Sequence, residues 1–340
     1  MNNETRKETQ VLPKDVRYVG ADDLTLPLFE NQYPVQPMGV SYNSYLILDE
    51  KIAVMDSVDA RAADEWLAKL AHELDGRRPD YLVISHMEPD HAGSILRLAE
   101  KYQEMQLVGN AKTFTMLRQF FGAKAPTDDR LLEVGEGETL PLGAHTLHFM
   151  LAPMVHWPEV MVAYEETEKL LFSADAFGRF GSLGRTANAP WAPQARRYYY
   201  NIVGKYGAQV QALLKKAAAL EIETICPLHG PVLTGGALAE ALRLYDLWSR
   251  WQSEAPEEIL LAHASIHGNT ARAAELLKQK LEAKGARVTL CDLTTTEVSY
   301  AVANAFYCGK LVLACSTYDG GLFPPMEEFL THLQAKGFRS

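Results

Sequence analysis

The sequence predicts a two-domain protein of mixed α/β and α+β class, an αββα sandwich followed by a parallel βαβαβ sheet. Its 340 residues exceed what one hydrophobic core of ordinary size takes in. Up to about residue 252, short apolar runs come in blocks with helical segments between them, which suits two stacked sheets better than a simple alternation. Beyond it, apolar runs and helical periodicity alternate one for one, the pattern of parallel strands joined by right-handed crossovers.

The elements follow in order. Tyr42 to Asp49 (YNSYLILD) and Ile52 to Asp56 (IAVMD) read as a hairpin joined at Glu50-Lys51. Trp66 to Leu74 has helical spacing, Tyr81 to Ser85 is a short buried strand, and His91 to Tyr102 reads as one amphipathic helix with Ile95, Leu98, Ala99 and Tyr102 on one side. Leu147 to Leu151, Val160 to Tyr164 and Lys169 to Ser173 are strand-like runs. Val210 to Leu220 is a helix, Thr224 to Pro227 a strand, and Gly236 to Gln252 a further helix. The acidic, proline-containing Ser253 to Glu258 is the expected linker, dividing a domain of residues 1–254 from one of 255–340. Strand Ile259 to His263, helix Thr270 to Lys284, strand Arg287 to Cys291, a short helix near Tyr300 and strand Lys310 to Cys315 make the second pattern.

Composition narrows the function. Hydrophobic residues at 47% and charged residues at 22% are ordinary for a soluble globular chain. A net charge of -10 without a basic stripe argues against nucleic acid and anionic membrane as partners, since both require clustered Lys and Arg. Met1 to Gln10 is polar and charged, unlike a secretory signal, and no apolar stretch has the length of a bilayer span. Cys226, Cys291, Cys308 and Cys315 lack metal or redox spacing and read as reduced thiols, so the expected location is cytoplasmic.

The densest chemistry is Ser85-His86-Met87-Glu88-Pro89-Asp90-His91, between a strand and a helix. Four potential ligands packed so closely cannot all reach one ion. His86 and Glu88, two apart at a strand end, share one direction; Asp90 and His91, beyond Pro89, face another, which suits a two-metal site. His156, Asp175 and His229 each follow an apolar run and fall at loop mouths on one presumed edge of the sandwich. Four imidazoles and three carboxylates suit iron cycling between oxidation states, though the same donors admit zinc. His145 and His148 precede the His156 segment and are read as structural.

HMEPDHAGS carries an H-x-E-x-D-H signature and resembles the flavo-diiron proteins, which are built on the metallo-β-lactamase fold. MVHWPEVM, LLFSADAFG and CPLHGPV are similar to the later ligand segments of that family, and the resemblance covers nearly the whole chain. It implies that His86, Glu88 and His156 bind the iron nearer the flavin, that Asp90, His91 and His229 bind the other, and that Asp175 bridges them. Tyr198, Tyr199 and Tyr200 resemble the family's RYYANI segment, where a tyrosine lies close to the metals. Tyr199 is the catalytic candidate, with aromatic packing as its other reading. The alternative is a zinc-dependent hydrolase of the same fold, similar to glyoxalase II or a lactamase; those carry His where this chain has Glu88.

Ser265-Ile266-His267-Gly268-Asn269-Thr270 lies between a strand and a helix and reads as a phosphate cradle. Gly268 permits close backbone approach, Ser265, Asn269 and Thr270 offer polar hydrogens, and the helix start favours an anion. Lacking G-x-G-x-x-G and G-K-[ST], it resembles instead the phosphate loop of flavodoxins, which bind FMN. Ser316-Thr317-Tyr318-Asp319-Gly320-Gly321 resembles the family's first isoalloxazine-contacting loop. A flavodoxin-like domain has five parallel strands and three are read here, so the resemblance implies a partial doubly wound sheet with its third strand as an open edge and weakened FMN binding. It further implies reduction of NO to N2O, of O2 to water, or both. Electrons would come from a rubredoxin-like or flavin-reductase donor through FMN to two irons, in a head-to-tail homodimer.

Overall fold

The computed structural model describes residues 12–339. Two six-stranded sheets form the first part. In one, Val16–Tyr18, Tyr45–Ile47, Ala53–Met55, Tyr81–Val83, Gln106–Gly109 and Leu131–Glu133 lie side by side in chain order. The first two pairings are antiparallel and the rest parallel. Parallel neighbours need long crossovers. These carry the helices Ala63–Leu74, Ile95–Lys101 and Ala111–Phe121, each with an apolar face inward: Trp66, Leu70 and Leu74; Ile95, Leu98 and Ala99; Phe114 and Leu117. The other sheet runs Thr139–Pro141, Thr146–Leu151, Met161–Glu165, Leu170–Phe172, Thr224–Cys226 and Leu233–Thr234, antiparallel except between Leu170–Phe172 and Thr224–Cys226.

Alternate residues of both sheets meet in one core that includes Val16, Tyr45, Met55, Val83, Val108, Leu147, Phe149, Met161 and Phe172. Phe149, with no exposed surface, contributes about 1.5–3 kcal/mol there by area removed from water. The expected sandwich is therefore present. A third sheet, all parallel, has the order Arg287–Asp292, Ala255–Ala264, Cys308–Cys315, with the chain's first strand of this region in the middle.

Three local expectations differ from the structure. The strand expected over Tyr42 to Asp49 is broken into Val40–Tyr42 and Tyr45–Ile47, because Asn43 turns its backbone N–H to Leu228 O at 2.8 Å instead of to a strand partner. The single helix expected over His91 to Tyr102 is a turn, Pro89–Ala92, and a separate helix, Ile95–Lys101. Gly93 stands between them, so close to Pro89 O and Ala60 N that a Cβ would lie 2.7 and 2.9 Å away. Most of the expected linker is strand: Ala255–Ala264 pairs Ala255 with Cys308 and Glu258 with Arg287, and a register irregularity between Ala255 and Ile259 absorbs Pro256.

Packing divides the chain into two compact units. One runs to Ala195 and takes in Ala212–Leu242; the other comprises Arg196–Gln211 and Arg243 onward. The second unit thus recruits a piece of chain well upstream of residue 254. No helix among the described residues is long and apolar enough to cross a membrane.

Candidate metal centre and flavin site

The seven predicted ligands all leave the carboxyl ends of sandwich strands. His86 and Glu88 follow Tyr81–Val83, and Pro89 starts the helical turn that carries Asp90 and His91. His156 follows Thr146–Leu151, Asp175 follows Leu170–Phe172, and His229 follows Thr224–Cys226. Ala174, directly before Asp175, holds a φ of 52°, a left-handed conformation that costs a non-glycine residue about 1 kcal/mol or more. The backbone accepts that strain where the carboxylate is aimed.

The structure brings these residues into two adjoining clusters, His86, Glu88, His156 and Asp175 in one and Asp90, His91 and His229 in the other. Within each, the donor atoms lie within 4.8 Å of one another. His156 Nε2 is 2.9 Å from both Glu88 Oε2 and Asp175 Oδ2, and His86 Nε2 is 3.3 Å from Asp175 Oδ2. In the second cluster His229 Nε2 is 3.2 Å from Asp90 Oδ2 and 3.3 Å from His91 Nε2. Asp175 turns its other oxygen, Oδ1, toward His229 Nε2 at 3.6 Å. One carboxylate thus faces both clusters.

The donor set fits two cations. Apart from the approaches within the clusters themselves, His86 Nδ1 and Nε2, Glu88 Oε2, both Asp90 oxygens and Asp175 Oδ1 are buried without hydrogen-bond partners. Buried polar atoms are rarely left so unless something else satisfies them. Imidazole and carboxylate without thiolate suit iron. Burial pushes the His86 and His156 imidazoles down, but the Asp175 and Glu88 carboxylates more than reverse this, holding His86 well above the usual range and His156 at about 10. Burial would raise Glu88, yet His156 and His86 hold it at about 2. At His91 burial wins over Asp90 and leaves it at about 4, whereas Asp90 and Asp175 overcome burial to raise His229. Around Asp175 and Glu88, then, the field draws positive charge inward.

A surrounding layer orients the donors, and sequence reasoning missed it. His229 Nδ1 lies 2.7 Å from Ser41 O and His91 Nδ1 3.1 Å from Ser57 O, which fixes the proton on Nδ1 and leaves Nε2 to face the cluster. Asn43 Nδ2 donates to Pro227 O and Gly230 O, both at 2.8 Å, and Tyr45 Oη donates to Pro227 O at 2.9 Å. Asp56 accepts from the Ser85 N–H at 2.7 Å and the Ser85 hydroxyl at 2.6 Å. Beside the clusters opens a cavity of about 570 Å³ lined by Phe29, Glu30, Tyr42, Arg61, Glu88 and Asp90 among others. His145 and His148 stand outside the centre, paired with Asp49 at 2.7 Å and Glu166 at 2.8 Å.

In the second unit, Ser265 to Thr270 joins strand Ala255–Ala264 to helix Asn269–Glu282. Gly268 caps the helix at φ 82°, without a side-chain cap and with open space where a Cβ would point. The Ser316 loop adjoins it, Ser316 N bonding Ala264 O at 3.1 Å and Ser316 Oγ lying 3.1 Å from Thr270 Oγ1. Thr317–Tyr318 and Gly321–Leu322 form a small hairpin turned by Asp319 at φ 48° and Gly320 at φ 78°. Ile266, Tyr318 and Leu322 are large apolar side chains left exposed on these loops, and His267 and Asn269 are exposed beside them. A helix start free to meet a phosphate, next to exposed apolar groups that a flat ring can cover, fits FMN. Tyr199 begins a π-helical turn, Tyr199–Val203, fully buried with its hydroxyl unpartnered. Its ring packs 5.2 Å from Tyr200, 5.0 Å from Tyr245 and 5.3 Å from Trp248.

Fold and donors together define a binuclear metalloprotein of the metallo-β-lactamase fold with a flavodoxin-like region. The family described as ODP family beta lactamase matches residues 40–230. Rubredoxin-oxygen oxidoreductase of Megalodesulfovibrio gigas is 29% identical over 94% of this chain and 80% of its own length. Nitric oxide reductase of Moorella thermoacetica is 26% identical, over 94% of this chain and 80% of its own. The crystal structure of the flavodiiron protein from Giardia intestinalis superposes with a TM-score of 0.88 at 28% identity, covering 96% of this chain and 79% of that one. The chain belongs to this family and, within it, to the flavo-diiron proteins.

Proposed function

We infer that the protein is a flavo-diiron oxidoreductase that reduces NO to N2O, O2 to water, or both, and that its cofactors are two irons and FMN. The observation that carries this reading is Asp175, whose two oxygens face separate His-carboxylate clusters. His86, Glu88 and His156 are the proposed ligands of one iron, Asp90, His91 and His229 of the other, with Asp175 shared. Bound iron and FMN supply the electrons: two NO take up two electrons and two protons to give N2O and water, and O2 takes four of each to give two waters. The protein's part is to hold seven donors in a buried site, fix the His91 and His229 tautomers, and admit small molecules through the adjoining cavity. Relatives named as oxidoreductases and reductases support redox chemistry over zinc hydrolysis.

Ser265, Ile266, His267, Gly268, Asn269 and Thr270 are proposed to hold the FMN phosphate, and Ser316, Thr317, Tyr318, Asp319, Gly320 and Gly321 the ring. The two loops' adjacency supports this. The proposed division is a diiron domain of residues 1–254 and an FMN domain of 255–340. A rubredoxin-like donor is supported by relatives' names; the head-to-tail homodimer and cytoplasmic location are proposed with it. Anaerobic purification followed by iron and flavin analysis, then NO and O2 consumption with a reducing donor, tests the whole. Stoichiometric zinc with negligible iron after growth in ample iron would overturn it.

A further inference from the structure

We propose that Glu159 is a positioning residue of the metal centre, its carboxylate tying the His86–Glu88 loop to the His156 loop and setting the charge around the metals. The proposal rests on the diiron reading above. Glu159 is 1% exposed, and its Oε1 accepts the Met87 N–H at 2.8 Å. Met87 lies between the donors His86 and Glu88, and its side chain is fully buried, so water cannot replace that bond. His156 is three residues before Glu159. A single side chain therefore connects the backbones that carry three of the four donors in the first cluster.

The acceptor is itself held rigidly. Asn110 Nδ2 donates to Glu159 O at 2.6 Å, while Asn110 Oδ1 caps the helix Ala111–Phe121 through the N–H groups of Lys112 and Thr113. Two residues on, Met161 N donates to Ser85 O at 2.9 Å, so the two loops are fastened on both sides of the donors. Meanwhile Glu159 Oε2 is buried without a hydrogen-bond partner, and Glu159 makes no ion pair among the described residues. A buried carboxylate without compensation is costly. Three carboxylates among the seven donors leave two ferrous ions with net positive charge, which a buried carboxylate outside the donor set offsets.

The test uses the full chain loaded anaerobically with Fe(II), comparing Glu159→Gln, Glu159→Ala and Glu159→Asp by iron titration and by redox titration of the diiron signal. Glu159→Gln keeps the acceptor for Met87 and removes the charge. It should bind two irons with a midpoint potential shifted positive, because the more positively charged oxidised state loses the carboxylate that favoured it. Glu159→Ala removes the acceptor too, and one of the two irons should bind about 10- to 100-fold more weakly; Glu159→Asp should recover part of that loss. An unshifted potential in Glu159→Gln overturns the electrostatic role, and wild-type iron affinity in Glu159→Ala overturns the positioning role. If the alanine variant does not fold, the glutamine variant's potential alone decides. A wild-type chain that takes up no iron removes the diiron reading and this proposal with it.

Discussion

Asn43 is a side chain whose removal should be felt at the metal centre without touching a donor. It is fully buried, its Nδ2 donates to Pro227 O and Gly230 O at 2.8 Å each, and its Oδ1 accepts from the Tyr18 hydroxyl at 3.1 Å. Both carbonyls flank His229 in sequence. Asn43→Ala would leave the buried Gly230 carbonyl without its donor, at about 1–3 kcal/mol, while Pro227 O keeps the Tyr45 hydroxyl. With the Asn43 backbone bond to Leu228 O retained, the net loss should be about 1–3 kcal/mol. Asn43→Asp preserves shape but turns an acceptor onto two carbonyls and buries a charge, so it should destabilise more than alanine despite being closer in size. Urea denaturation of the metal-free chain gives the stability difference, and Fe(II) titration should show one weakened site in Asn43→Ala. If aspartate proved milder than alanine, the assignment of Nδ2 to the two carbonyls would be wrong. If alanine cost under about 0.5 kcal/mol, the clamp would carry no weight.

Other expectations follow from the same geometry. Glu88→His should lower iron toward one per chain and cut NO or O2 turnover, since Glu88 Oε2 is the carboxylate 2.9 Å from His156 Nε2; full iron content and turnover would defeat the argument from ligand hardness. Tyr199→Phe removes a buried hydroxyl without a partner, so the chain should be as stable or about 1 kcal/mol more stable by urea midpoint. Lost turnover at intact stability would support a catalytic role for Tyr199, and unchanged turnover would assign it to packing. Gly268→Val forces a β-branched side chain to φ 82° and should weaken FMN by tenfold or so in a fluorescence-quenching titration; an unchanged Kd would separate this loop from the flavin. Burial alone would raise the Asp49 carboxyl, but the His145 N–H and ring and the Glu50 N–H hold it at about 2. Lying below the unfolded value of about 3.9, this folded value adds stability above roughly pH 4 that is lost as pH falls toward about 2. Asp49→Asn should therefore lower the urea midpoint at neutral pH and make no difference at the acid end; a gap constant across that window would refute the linkage.

The sandwich and the donors were legible because their signals are local. Four ligand types crowd into His86 to His91, and each later donor directly follows an apolar run, so strand ends and chemistry are read together. The linker failed for the opposite reason. Acidic residues and Pro256 look like a connector, yet pairing with Cys308–Cys315 overrides them, and Gly309 makes that possible: a Cβ there would sit 2.2 Å from Pro256 O. Nothing near Pro256 in sequence announces a glycine on the neighbouring strand.

The orienting layer was illegible on the same grounds, and its distribution has a meaning of its own. Ser41, Asn43 and Tyr45 belong to one short stretch, and all three bind the His229 turn, Asn43 reaching a carbonyl 187 residues away. That stretch is also where the expected strand breaks. Had Val40 to Ile47 run straight, alternate side chains and every backbone N–H would have belonged to the sheet. The break frees the Asn43 amide for Leu228 O and leaves the Ser41 carbonyl to His229 Nδ1. An interruption of the sheet pattern is therefore the price of orienting a metal ligand that no neighbour in sequence can hold. Asparagine serves there because its amide supplies two N–H donors for two carbonyls while its oxygen still takes the Tyr18 hydroxyl.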